Sequence, residues 1–135
     1  MAVYATKRTP QQNDFITMTV TTAADGLSDV ADLGGMRVAG VEMSTAWTAA
    51  DLGFLGSPLS SAGMREIYKT ADSTAPVAFI IATTANRLIG FNSIGADAAR
   101  FIQLASVATG STAALAQAAA RTVRLLVGPQ QGPLK

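Results

Sequence analysis

Few of the 135 residues could carry out acid–base, nucleophilic or metal chemistry. The chain has no histidine and no cysteine, so the usual general base, the thiol nucleophile and the favoured zinc ligands are missing. Serine and threonine are plentiful, but no nucleophile motif or phosphate-binding glycine loop surrounds them. The sequence therefore predicts a protein that is not an enzyme and that has no cofactor.

The nearest approach to a metal site is a group of three acidic residues, Asp25, Asp29 and Asp32. Carboxylate oxygens bind calcium, but this spacing matches no calcium-loop pattern. Solvated turn carboxylates are the favoured interpretation, so no metal site is predicted.

Acids dominate residues 25–51 and arginines dominate after residue 100. These two regions could pair head to tail between subunits, although solvated side chains are the favoured alternative.

The elements that must position these residues are strands. Residues 14–22 alternate between two faces and are rich in β-branched side chains, which is typical of a strand. A Gly34-Gly35 turn precedes residues 36–43, which have a strand's period of two. The alternation predicts one face formed by Met36, Val38, Gly40 and Glu42, and an opposite face formed by Arg37, Ala39, Val41 and Met43.

Several more short strands follow along the chain. They are predicted at residues 52–54, 64–69, 76–82, 86–91, 100–107 and 121–127, and the apolar 76–82 segment is predicted to be buried. Alanine-rich residues 111–120 are predicted to form a loop with at most one or two helical turns. Many short strands separated by turns indicate an all-β fold, an antiparallel β-sandwich (jelly roll) of about eight strands. One domain is predicted over residues 14–128, with an N-terminal arm at 1–13 and a C-terminal tail at 129–135.

Particular segments resemble a known family. They are the Leu33-Gly34-Gly35 turn with the strand after it, the 46–50 link with the Leu52/Phe54 strand, and residues 97–104, 109–112 and 117–123. Together they resemble the small structural proteins of tailed bacteriophages and phage-like particles, over roughly residues 25–127. The resemblance implies a jelly roll similar in outline to galactose-binding or discoidin-like domains. It also implies a place on the outside of a capsid or on a head or tail appendage.

The only tryptophan, Trp47, lies between two predicted strands. Jelly-roll sugar binders present aromatic platforms from such loops, so Trp47 is a candidate glycan platform. Its neighbours Ala46, Ala49 and Ala50 are small and leave room for the indole to pack over the end of the sandwich. Packing is the favoured interpretation, and the glycan alternative predicts an exposed Trp47 in a polar groove.

Composition restricts the partners. Charged residues make up 14% of the chain, against roughly 25% in ordinary domains. This composition fits equally a surface partly covered by other subunits and a small domain with a neutral surface. A net charge of +1 argues against nucleic-acid binding.

The longest apolar run, residues 76–82, is far shorter than the roughly 20 residues of a membrane helix. With no apparent signal peptide, the protein is expected to be soluble, made in the host cytoplasm and not membrane-bound.

We therefore expect a virion protein on the outer capsid surface, a decoration or cement protein that stabilises a phage head. Its expected partners are the major capsid protein and copies of itself, as a homotrimer at threefold positions whose arm and tail bridge capsomers. A head-fibre, spike or tail component is the alternative within the virion, and a carbohydrate-binding module for host attachment is the alternative outside this class. The predicted assembly contacts are Tyr4, Lys7, Arg8, Phe15, Leu134 and Lys135.

Overall fold

A computed structural model of the chain describes residues 14–67, 80–90 and 99–129. The described residues form nine strands and no helix. The strands are β1 (Asp14–Val20), β2 (Leu27–Asp32), β3 (Met36–Glu42), β4 (Asp51–Ser57), β5 (Arg65–Glu66), β6 (Ile80–Ile81), β7 (Leu88–Gly90), β8 (Phe101–Val107) and β9 (Arg121–Pro129).

All the strand pairs are antiparallel, and together they form one curled sheet. A front half has the order β1-β9-β3-β7, and a back half has the order β2-β8-β4 with β5 and β6 beside β4. The halves join where Val20 of β1 pairs with Ser28 of β2. From β1 to β4, and again from β7 to β9, successive strands alternate between the halves. The fold is therefore an all-β antiparallel sandwich of the jelly-roll kind, as the sequence predicts.

One hydrophobic core lies between the halves. The front half contributes alternate residues of β1 and β9, among them Met18, Val123 and Leu125, none of which is exposed. The back half contributes Leu52 and Leu104, which are equally buried, together with Phe54, Ile102 and Ala31. The strands predicted near residues 14–22, 100–107 and 121–127 are confirmed, because a period of two with one buried face leaves little freedom of register.

The predicted faces of β3 are wrong beyond its midpoint. The pairing of β3 with β9 shifts by one residue between Val38 and Gly40, so Ala39 forms a β-bulge. Because a bulge adds one residue to one strand, Val38 and Val41 both reach the core, where neither is exposed. The Gly34-Gly35 turn is confirmed, with φ values of 58° and 93°, which glycine adopts without steric cost.

Other segments differ from the predictions in detail. Residues 111–120 form the predicted loop, without helical turns, and a bridge between Ala114 and Val107 holds it. Ile80 and Ile81 are only half-buried, because they pair at the edge of β4, so this part of the 76–82 segment is not the fully buried strand predicted. Residues 76–79 lie outside the described residues. The last strand continues through Pro129, the first residue of the predicted tail.

Candidate interaction surface

The three acids considered for a metal site have separate roles. Asp25 accepts a hydrogen bond from the Leu27 amide at 3.1 Å, and Asp29 accepts one from the Thr19 amide at 2.8 Å. Asp32 pairs with Arg100. Across residues 14–67, 80–90 and 99–129, no group of three or more His, Cys, Asp or Glu side chains is arranged to hold a metal ion.

The pair between Asp32 and Arg100 belongs to a group on the back half that we call the back trio: Asp32, Arg100 and Phe101. Both carboxylate oxygens of Asp32 accept from the guanidinium, at 3.0 and 3.1 Å, and the Gly34 amide donates to the same carboxylate at 3.0 Å. The hydrogen bond from Arg100 holds the pKa of Asp32 below its ordinary value, and Asp32 in turn raises the pKa of Arg100. The guanidinium also lies over the Phe101 ring, 5.1 Å from its centroid.

A matching group on the front half, the front trio, consists of Glu42, Arg124 and Phe15. Arg124 donates to one Glu42 oxygen at 2.9 Å, and its guanidinium lies 5.0 Å from the centroid of the Phe15 ring. Arg124 and Glu42 lie opposite each other on β9 and β3. Their pairing is cross-strand, the usual way in which opposite charges stabilise a sheet.

These pairs bear on the hypothesis that acidic and basic regions of the sequence pair between subunits. Asp32 and Glu42, from the acidic region, bind Arg100 and Arg124 of the same chain. A third acid, Asp51, is buried and accepts from the Gly110 amide at 2.9 Å. The charge asymmetry along the sequence is therefore largely neutralised within the folded chain.

Trp47 is buried rather than exposed. Its side chain is 8% exposed, and its indole N–H donates to the Ala50 carbonyl at 3.2 Å. The residue belongs to the hydrophobic core. This is the packing geometry that the small neighbouring residues predict, and it lacks the exposed ring face that the glycan-platform hypothesis requires.

Gln117 is an important polar residue that the sequence analysis did not single out. It is 2% exposed, and its amide oxygen accepts from the Thr48 amide at 2.7 Å. Its amide nitrogen donates to the Ser106 hydroxyl at 2.9 Å and to the Thr48 carbonyl at 3.2 Å. Arg121 adds a bond to Thr48 at 3.3 Å. Gln117 therefore fastens the 108–120 loop to the end of the sandwich. The only sequence signal was one glutamine within a run of alanines.

The outer face of the back half is covered by this loop. Ala105 and Val107 of β8 point away from the core and are nonetheless only 6% and 5% exposed. The Leu115 amide donates to the Ser106 carbonyl at 2.9 Å, and Ala114 bridges to Val107. A cavity of about 110 Å³ remains between the loop and β4, lined in part by Leu55, Thr112 and Ala114.

The outer face of the front half has no such cover among the described residues. Two of the three exposed large hydrophobic side chains in the described part of the chain lie on it, Phe15 at 49% and Leu88 at 71% exposure. An open groove of about 530 Å³ borders the face and is lined by polar residues that include Arg87, Asn86 and Thr122. This bare face is the surface that we consider the candidate functional site.

Of the predicted assembly contacts, only Phe15 lies within the described residues, and it is on the bare face. Tyr4, Lys7, Arg8, Leu134 and Lys135 lie outside them. The points at which the arm and the tail join the sandwich are nevertheless defined. Asp14 begins β1 opposite Val127 of β9, and β9 ends two residues later at Pro129. Arm and tail therefore join neighbouring strands at the same end of the front half.

Comparisons with protein-family models, with curated proteins and with solved structures found no match to this chain. The described residues contain no helix with the length and apolarity to cross a membrane.

Proposed function

We propose that the protein is a virion structural protein, a decoration protein that binds the outer surface of a phage capsid and stabilises it. The observation that carries the proposal is the position of the chain ends. Because β1 begins where β9 ends, residues 1–13 and 130–135 can reach one partner surface together. Two segments that bind the same partner add by avidity, so each contact can be modest.

Three further observations support this function. The resemblance to phage structural proteins covers most of the sandwich. Jelly rolls are common in viral capsid proteins and in lectins, although a fold alone does not specify a function. Charged residues make up only 14% of the chain, and two pairs of them neutralise each other within the chain, which suits a surface in contact with other subunits.

The test is to delete residues 1–12 and to measure how many copies bind purified shells of the phage that encodes the protein. We expect occupancy to fall, and a second deletion of residues 130–135 to lower it further. Leu59→Ser is the matched control, because Leu59 is 86% exposed and lies in the loop after β4. Undiminished occupancy after both deletions would contradict the proposed role of the ends.

The same particles distinguish the head from other locations. A gold-labelled protein is expected over the whole capsid surface if it is a decoration protein. Labelling confined to a fibre, a spike or the tail would favour the alternative within the virion. The carbohydrate-binding alternative lacks its candidate platform, because Trp47 is buried.

A further inference from the structure

We propose that the outer face of the front half binds the same face of a second copy of this chain, with a twofold axis that runs along the strands between β9 and β3. The face is formed by four neighbouring strands in the order β1-β9-β3-β7. The dimer follows from the geometry of this face and does not depend on the proposed function.

The first argument is shape. One row across the face consists of Phe15, Leu126, Gly40 and Gly90, which are paired in register from β1 to β7. Half of this row carries large side chains and the other half carries none. A twofold axis along the strands exchanges β1 with β7 and β9 with β3. It therefore places Phe15 of each subunit over the exposed Gly90 of the other, whereas Gly40 is buried beside the β7 backbone and offers no open space.

The second argument is charge. In the next row, Arg124 lies opposite Glu42 within each subunit, and the same axis places Arg124 of one subunit over Glu42 of the other. Arg124 occupies only one oxygen of Glu42, and no hydrogen bond to the second oxygen is formed by the described residues. Both side chains are about half exposed, at 50% and 45%. Two copies would thus form a ring of four alternating charges, which is the self-complementarity that a twofold contact requires.

The same axis defines one more pair on this face. Thr17 and Leu88 lie at the two ends of the row that contains Arg124 and Glu42. The axis therefore sets Thr17 of one copy over Leu88 of the other.

The size of the face sets the expected strength. With strands about 4.8 Å apart and outward residues about 6.8 Å apart along each strand, the face measures roughly 20 Å by 20 Å. About 400 Å² per subunit is below the roughly 800 Å² of a standard interface. We therefore expect a reversible dimer with a dissociation constant in the micromolar range. This twofold symmetry differs from the homotrimer that the sequence leads us to expect.

The decisive experiment uses the absence of cysteine in the natural chain. Thr17→Cys and Leu88→Cys proteins, one of them carrying a size tag, are mixed and treated with a short bismaleimide. We expect a cross-linked heterodimer in several-fold higher yield than from either protein alone. The matched control replaces Leu88→Cys with Leu59→Cys. Equal yields from the two mixtures would overturn the proposed dimer.

A second variant tests the fit without disturbing the subunit. A Cβ at Gly90 would have its nearest heavy atom, the Ala39 carbonyl oxygen, at 3.8 Å, so Gly90→Leu is compatible with the fold but fills the space that Phe15 of the other copy requires. We expect unchanged thermal unfolding and about tenfold weaker dimerisation in sedimentation equilibrium, in line with the cost of overpacking. A mass of one chain at all concentrations, or of three chains that Gly90→Leu leaves intact, would overturn the proposal.

Discussion

The two trios place the same three kinds of side chain on opposite faces of the sandwich. They differ in whether the carboxylate oxygens of the acidic residue already accept hydrogen bonds. In the back trio, Arg100 contacts both oxygens of Asp32, and Gly34 adds a third donor. In the front trio, Arg124 contacts one oxygen of Glu42. The back trio is therefore complete within one chain, whereas the front trio can accept a further donor. An ion pair whose carboxylate oxygens all accept hydrogen bonds within the chain stabilises only its own subunit. An ion pair with an unused carboxylate oxygen can also bind a second subunit.

The largest expected effect concerns the backbone that carries the front trio. A Cβ at Gly40 would collide with the Ile89 carbonyl oxygen and lie 3.1 Å from the Gly90 Cα. Gly40→Ala must therefore displace β7 from β3, and we expect it to lower the free energy of unfolding by about 3 kcal/mol, measured by urea denaturation. Gly90→Ala is the control, because its Cβ has ordinary space. Equal stability of the two variants would show that the close approach at Gly40 does not matter.

The next effect concerns the cover of the back half. Gln117→Ala leaves the Thr48 amide and the Ser106 hydroxyl without their buried partner, which costs about 2 kcal/mol. Hydrogen exchange should become faster in residues 108–120 and in the outward residues of β8, while the front half stays protected. Thr122→Ala, at an exposed position of β9, is the control. Uniform loss of protection over the whole sandwich would contradict a local fastening role for Gln117.

A smaller effect is the pH dependence of stability that comes from the back trio. Because the pKa of Asp32 is lowered in the folded state, its pair with Arg100 stabilises the protein fully above the pKa of the unfolded chain, about 3.9. This contribution is lost as the pH falls through the lower pKa of the folded state. Asp32→Asn should therefore lower the melting temperature at pH 7 and have no effect in strong acid.

The control for this prediction is the same substitution in an Arg100→Gln background. There the Asp32→Asn change should produce little pH-dependent difference, because the partner that lowers the pKa is gone. If Asp32→Asn behaves alike in both backgrounds, the pair with Arg100 is not the cause of the pH dependence.

The smallest expected effect on stability is at Phe15, where the expected effect on the dimer is large. Because Phe15 is about half exposed and its ring contacts the surface guanidinium of Arg124, Phe15→Ser should lower the free energy of unfolding by about 1 kcal/mol or less. The same substitution should abolish cross-linking between Thr17→Cys and Leu88→Cys proteins. Retained cross-linking would mean that Phe15 takes no part in the dimer.

How well the sequence predicts each part of the fold depends on how far apart in the sequence the interacting residues lie. Strands such as β1 and β8 show their period of two within seven residues, so the pattern identifies them. The bulge at Ala39 has no local signal, because it results from the register with β9. It therefore reversed the predicted direction of Val41.

The candidate surface was harder to predict for the same reason. Asp32 and Arg100 lie 68 residues apart in the chain, and Glu42 and Arg124 lie 82 apart. A single sequence shows that acids and arginines occur in different regions, but not which of them meet. The sequence points to Phe15 only through its place beside the arm. That it shares a row with two glycines follows only from the pairing of four strands.

The meeting of β1 and β9 at the chain ends has a practical consequence for engineering. Since Asp14 lies opposite Val127, a short linker could join the two ends of the sandwich, and new ends could be opened beside Leu59 in its exposed loop. Such a circular permutant keeps every strand pair but has neither arm nor tail. Because its core is intact, any function that it loses relative to the full chain belongs to the arm and tail, and any function that it keeps belongs to the sandwich.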